Sequence, residues 1–164
     1  MFWRRIVGPT TFFDTGARQV CTVKVPRTNT PLHALVTLND TAFVEAARVM
    51  AQRILEGPAS ARTADDAEVV PSTKAAAGEM SDPARLDSAF RLLTAHLPSA
   101  EEKKILLARL DTLRGQFRAE PAAARELASV GEAPRPESLD VVEHAAWTAL
   151  CSLLMNLDEV LSKE

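Results

Sequence analysis

The residues best suited to chemistry lie in one short stretch. Arg27, Thr28, Asn29 and Thr30 run into Pro31, and Asn39-Asp40 follow at the end of the next apolar run. A guanidinium, two hydroxyls and an amide beside a helix start could hold an anion or a sugar. Asn156, Asp158 and Glu159 form a second polar group near the C-terminus that could complete such a site. The competing reading is a structural latch: Asn29 and Thr30 cap a helix, and Arg27 pairs with Asp40 or Asp158. Small polar side chains compete for backbone hydrogen bonds and so gather at helix starts and turns, which favours the latch.

Other chemistry has little material. His33, His96 and His144 are not spaced to converge on a metal, so no metal site is expected. His144, with Asp140 and Glu143 beside it, reads as part of a helix N-terminal turn, and His33 as a surface or half-buried residue. Cys21 and Cys151 are far apart and belong to no CxxCH or zinc spacing. Two separate buried thiols are the simpler expectation, with a disulfide as the alternative in an oxidising compartment. Glu101 and Glu102 are adjacent on a helix and diverge, and there is no nucleophile elbow and no glycine-rich phosphate loop. No catalytic residue is assigned, and an enzyme is the less favoured reading.

These residues must be positioned mainly by helices. Thr30-Pro31 marks one helix start and Asn39 or Asp40 a second. Phe43, Ala47, Met50 and Ile54 then repeat at helical spacing, widened by Val44, Ala51 and Leu55. Glu45, Arg48, Gln52 and Arg53 are expected on the polar face, and Gly57-Pro58 ends the helix. Ser81-Asp82-Pro83 opens a helix with the stripe Leu86, Phe90, Leu93 and Leu97, ended by Leu97-Pro98. Ser99 to Glu102 is a capping box leading into a long helix with Leu106, Leu110, Leu113 and Phe117 on one face. Pro121 restarts a short Ala-rich helix that closes at Gly131, and Pro134 and Pro136 hold an extended connector. Asp140 and Glu143 cap a last helix over 140–161 that is apolar almost all round and therefore the buried centre.

The expected fold is thus mainly α: an irregular bundle of about five helices, with an extended basic arm over 1–30 and a helical domain over 31–164. Within the arm, Cys21, Val23 and Val25 alternate with Thr22 and Lys24, which predicts a single half-buried strand. Residues 57–80, rich in Ala, Ser, Thr, Asp, Gly and Pro, read as a flexible linker. The net charge of −3 is unevenly spread: residues 1–31 carry +4 and the rest −7. The arm has neither the basic density nor the aromatic support of a nucleic-acid site, so no nucleic-acid partner is expected. No apolar run approaches the ~20 residues of a transmembrane helix, and Phe2 to Val7, interrupted by Arg4-Arg5, is too short for a signal peptide.

The ordered segments RQVCTVKVPRTNTPLHALVTLND, FVEAARVMAQRIL, AFRLLTAHLPSAEEKKIL and AAWTALCSLLMNLDEVLSKE resemble the C-terminal domain of unknown function of planctomycete-type cytochrome-associated proteins, the PSD family. The resemblance runs over residues 2–164 apart from 57–80. It departs from the family at Thr41, where proline is usual after LND, and at Val160, where an aromatic is usual. It implies a C-terminal fragment of a larger exported protein of the periplasm or cell envelope, whose upstream domains would be this chain's partners. A c-type haem would belong to that upstream part; no cofactor is expected in this chain. The resemblance brings no assigned reaction. A non-catalytic accessory or interaction domain follows, with a carbohydrate- or polar-polymer-binding or processing module, its polar site at the helix starts and polysaccharide its partner, as the alternative.

Overall fold

The computed structural model describes residues 31–57 and 80–161. The arm over 1–30 with its expected strand, and all but the end residues of the 57–80 linker, lie outside the described residues. Seven helices are present among the described residues: α1 (Pro31–Asn39), α2 (Thr41–Glu56), α3 (Asp82–Thr94), α4 (Ala100–Ala119), α5 (Pro121–Ala128), α6 (Val141–Met155) and α7 (Asp158–Leu161). There is no strand among the described residues. The mainly α, irregular-bundle expectation holds.

Local rules set most of the boundaries. Pro31 opens α1, and Asp40 caps α2 by accepting the Ala42 N–H at 2.9 Å. Ser99 and Glu102 form a reciprocal capping box on α4, which satisfies two amides that the helix cannot pair itself. Asp140 accepts the Glu143 N–H at 2.9 Å at the start of α6. Two ends differ from expectation. Helix α3 stops at Thr94 rather than Leu97, because Ala95 adopts a left-handed conformation (φ 66°) and turns the chain. Leu97 therefore leaves the stripe and is exposed. The single helix expected over 140–161 breaks at Asn156-Leu157 into α6 and the one-turn α7.

Helix α6 is the centre of the bundle and packs against α1 to α5. Ala146, Trp147, Leu150, Cys151 and Leu154 form its share of the core, facing Ala47, Ala51 and Ile54 of α2, Leu86 and Phe90 of α3, and Leu110 and Leu113 of α4. Cys151 is a buried free thiol, pushed up to about 12 by burial.

The expectation for Arg48 fails, and the failure explains the α2–α6 packing. Arg48 has 0% exposure. Its Nε donates to the Val130 carbonyl at 2.8 Å and its Nη2 to the Ala133 carbonyl at 2.6 Å. Glu45, one turn earlier, accepts the N–H groups of Glu132 (2.9 Å) and Ala133 (2.6 Å) with one oxygen. The α5–α6 loop is thus held at both its carbonyls and its amides by one Glu–Arg pair. Gly131 sits between them at φ 96°, and a Cβ there would overlap the Glu45 carboxyl group. His144 lies in the N-terminal turn of α6, as expected, and is fully buried; its Nε2 donates to the Arg48 carbonyl at 3.1 Å.

A second arginine ties helix ends together nearer the surface. Arg114 of α4 grips Asp82 at the start of α3 (2.6 and 3.0 Å) and Glu143 at the start of α6 (2.8 Å twice). Both contacts are two-pronged, the geometry in which a guanidinium binds carboxylates best.

Removing the Arg48 donors while keeping its bulk should be costly, because the Val130 and Ala133 carbonyls would lose charge-assisted partners inside the fold. Arg48→Met is expected to lower the unfolding free energy by about 3 kcal/mol in urea titrations followed by circular dichroism. A loss under about 0.5 kcal/mol, the range of ordinary surface changes, would show that the loop is held by something else.

Candidate functional site

Of the nine candidate residues, Arg27, Thr28, Asn29 and Thr30 lie outside the described residues. The other five lie at helix ends. Asn39 closes α1, its Nδ2 donating to the Leu35 carbonyl at 2.8 Å. Asp40 is the cap of α2. Asn156 ends α6 and meets α1 at Thr37, with Oγ1 2.9 Å from Asn156 Oδ1. Thr37 Oγ1 also lies 3.0 Å from the His33 carbonyl, and its single proton serves one of these acceptors at a time. Asp158 opens α7, and Glu159 turns to the segment just after α3, where Oε2 lies 3.0 Å from His96 Nε2. Asn39, Asp40 and Asn156 therefore gather near the C-terminal end of α1, while Glu159 belongs to a separate contact.

That contact is built for a protonated imidazole. His96 Nδ1 faces the Leu97 carbonyl at 3.1 Å, Nε2 faces Glu159, and the ring stands edge-on to Phe90 at a centroid distance of 5.4 Å. The Leu97 carbonyl first and the Glu159 carboxylate second hold the His96 pKa above its ordinary value. His144 is the opposite case: burial, aided by the Arg48 charge, pulls its pKa down. Asp82 is held below the usual carboxylate range by its bonds to Arg114. Among the described residues, no three of His, Cys, Asp and Glu come close enough to share a metal ion. No described helix is long and apolar enough to cross a membrane.

The feature of α1 that sequence reasoning missed is its orientation. His33 and Thr37 are buried, whereas Leu32, Leu35 and Leu38 are 55%, 58% and 41% exposed. The helix points its polar side into the protein and its leucines outward. The three-residue spacing of these leucines was visible in the sequence. The bond from Thr37 to Asn156, 119 residues away, was not.

A family model described as PSD1, protein of unknown function (DUF1553), matches residues 1–110. That span takes in the Arg27–Asp40 stretch, α1 to α3 and the first half of α4. No curated protein and no solved structure matches the chain.

The two histidines predict opposite pH effects in one window. The depressed pKa of His144 means the unfolded chain takes the proton first as pH falls. Its contribution is therefore complete above about pH 6.5 and is lost on acidification. The raised pKa of His96 gives stability that is present below its unfolded value and fades as pH rises through the folded one. Burial makes the His144 effect the larger, since exposed pairs such as His96–Glu159 count for little. Urea midpoints are expected to fall from about pH 7 to pH 5 in the parent protein, and to fall less in His144→Gln. Equal slopes in the two proteins would remove His144 as the cause.

Proposed function

The chain belongs to the PSD1 family of proteins of unknown function, and from that premise we propose that it is a non-catalytic accessory domain that docks on the remainder of a larger protein. The observation that carries this reading is the outward leucine face of α1. Fully burying a leucine is worth roughly 1.5–3 kcal/mol relative to leaving it in water. Three of them on a nine-residue helix, beside an inward Thr37, form an apolar strip that a covering surface would stabilise. A strip this short is far below the ~800 Å² per partner of a stable free-standing complex. It suits a partner joined through the same chain, whose effective concentration is high without added contacts.

In this reading the polar set at the helix starts is a latch rather than a ligand site. Asn39, Asp40, Asn156 and Glu159 each make a structural bond. Those at the α1 end fix the turn into α2 and the seating of α1 on α6. Arg27 to Thr30 immediately precede α1 in sequence and would extend the same latch. A carbohydrate-binding module at this place would need the same side chains turned together toward solvent, and no described contact favours that. The exported setting, and an upstream domain carrying c-type haem, rest on the motif resemblance alone.

Covalent footprinting of Leu32, Leu35 and Leu38 tests the reading in the chain alone and in the full-length gene product. The leucines are expected to be labelled in the first and shielded in the second. Leu35→Asp should leave the isolated chain within about 0.5 kcal/mol of its parent, while lowering the melting temperature of the full-length product. Equal labelling in both contexts would overturn the proposal.

A further inference from the structure

We propose that the open concavity between α2 and α3 binds an anionic amphiphile: one carboxylate or phosphate head on an aliphatic or aromatic body. This site is separate from the α1 face and does not depend on it. The concavity measures about 420 Å³ and is lined by Arg53 and Ile54 of α2, Ser88, Arg91 and Leu92 of α3, and Met80 just ahead of α3. Its size lies within the ~300–1,000 Å³ of small-molecule pockets.

The lining divides into a head site and a body site. Ile54, itself buried, supplies an apolar floor, and Met80, unbranched and adaptable, a second apolar wall. Leu92 stands at the rim with 69% of its surface in solvent, apolar area that a ligand body would cover. The charge comes from Arg53 and Arg91. Among the described residues, neither guanidinium has a carboxylate within 4.0 Å, unlike Arg48, Arg85 and Arg114. Nearby acids are already engaged: Asp87 holds Lys103 at 2.6 Å, and Glu56 accepts from Gln52 at 3.3 Å. Ser88 gives its proton to the Ala84 carbonyl at 3.0 Å, so recognition of a negative head falls to the two arginines. Guanidinium groups take carboxylate or phosphate oxygens two at a time, which suits either head.

A plainer role competes. Arg53 and Arg91 sit in the last turns of α2 and α3, where a cation complements the helix dipole. That role needs no ligand, and neutralising the arginines would then change stability slightly and binding not at all.

The test is calorimetric titration of the full chain with decanoate and decyl phosphate, both below their micelle concentrations. Decanol supplies the body without the charge; acetate and inorganic phosphate supply the head without the body. Saturable one-to-one binding is expected for at least one of the two amphiphiles, with decanol and the bare heads each at least tenfold weaker. The stronger of the two identifies the head. The double variant Arg53→Gln/Arg91→Gln should weaken binding at least tenfold at an unchanged circular dichroism spectrum, and Leu92→Asp should weaken it as well. Arg118→Gln/Arg125→Gln, on exposed faces of α4 and α5, should bind like the parent. Absence of saturable binding, decanol binding as tightly as the charged amphiphiles, or equal loss in the two double variants would each overturn the proposal.

Discussion

A guanidinium taken out of water needs hydrogen-bond acceptors, and the burial of Arg48 organises much of the chain around that requirement. The carbonyls that accept from its Nε and Nη2 come from Val130 and Ala133, so the loop between α5 and α6 must fold back over α2. Gly131 leaves room there for the Glu45 carboxyl group, which a Cβ at that position would displace. The amides of the loop are taken by the Glu45 carboxylate. The backbone carbonyl of Arg48 in turn accepts from His144, which seats the first turns of α6 on α2. One residue thereby joins α2, the loop and the central helix: the loop bonds go to backbone groups that do not titrate, and the bond to the central helix goes to the His144 imidazole.

Arg114 solves a different problem in a different way. It joins the starts of α3 and α6 to α4 through Asp82 and Glu143, both only partly buried. Each carboxylate also sits in the first turn of its helix, where negative charge is favoured by the helix dipole. The Asp82 end weakens only when acid protonates a carboxyl already held below its ordinary range. At neutral pH, then, the frame is fixed by two arginines, and the groups free to respond are the histidines: His144 inside and His96 at the α3–α7 contact.

What the sequence disclosed and what it hid follow from range. Ser99 with Glu102, Asp40, Asp140 and Pro31 act within one helical turn, and each was legible from residue type and spacing. The centrality of α6 was legible too, because a helix apolar on nearly every side can only be surrounded. Glu45 and Arg48 misled for the same local reason: an i, i+3 acid–base pair looks like a solvated face. The groups that draw them inward lie more than 80 residues further on, and no periodicity announces them. The inversion of α1 is similar, since its spacing shows two faces and only the partner at Asn156 decides which one turns in. The early stop of α3 rests on the left-handed turn at Ala95, a residue type that carries no signal for that conformation. The candidate site was legible as polar residues at helix ends, but residue type alone did not separate bonds within the fold from bonds to a ligand.

The matched family region raises a structural question that the Arg48 interaction answers. The match ends at residue 110, inside α4, which continues to Ala119. Residues up to 110 include α2, its buried arginine and the Glu45 carboxylate 3.9 Å from it, but neither of the carbonyls that accept its hydrogen bonds. Val130, Ala133 and His144 all lie beyond, as does Trp147, the largest side chain of the core. A chain cut at 110 would lack the loop carbonyls that Arg48 bonds and the central helix of the core. The physical unit therefore extends at least through α6.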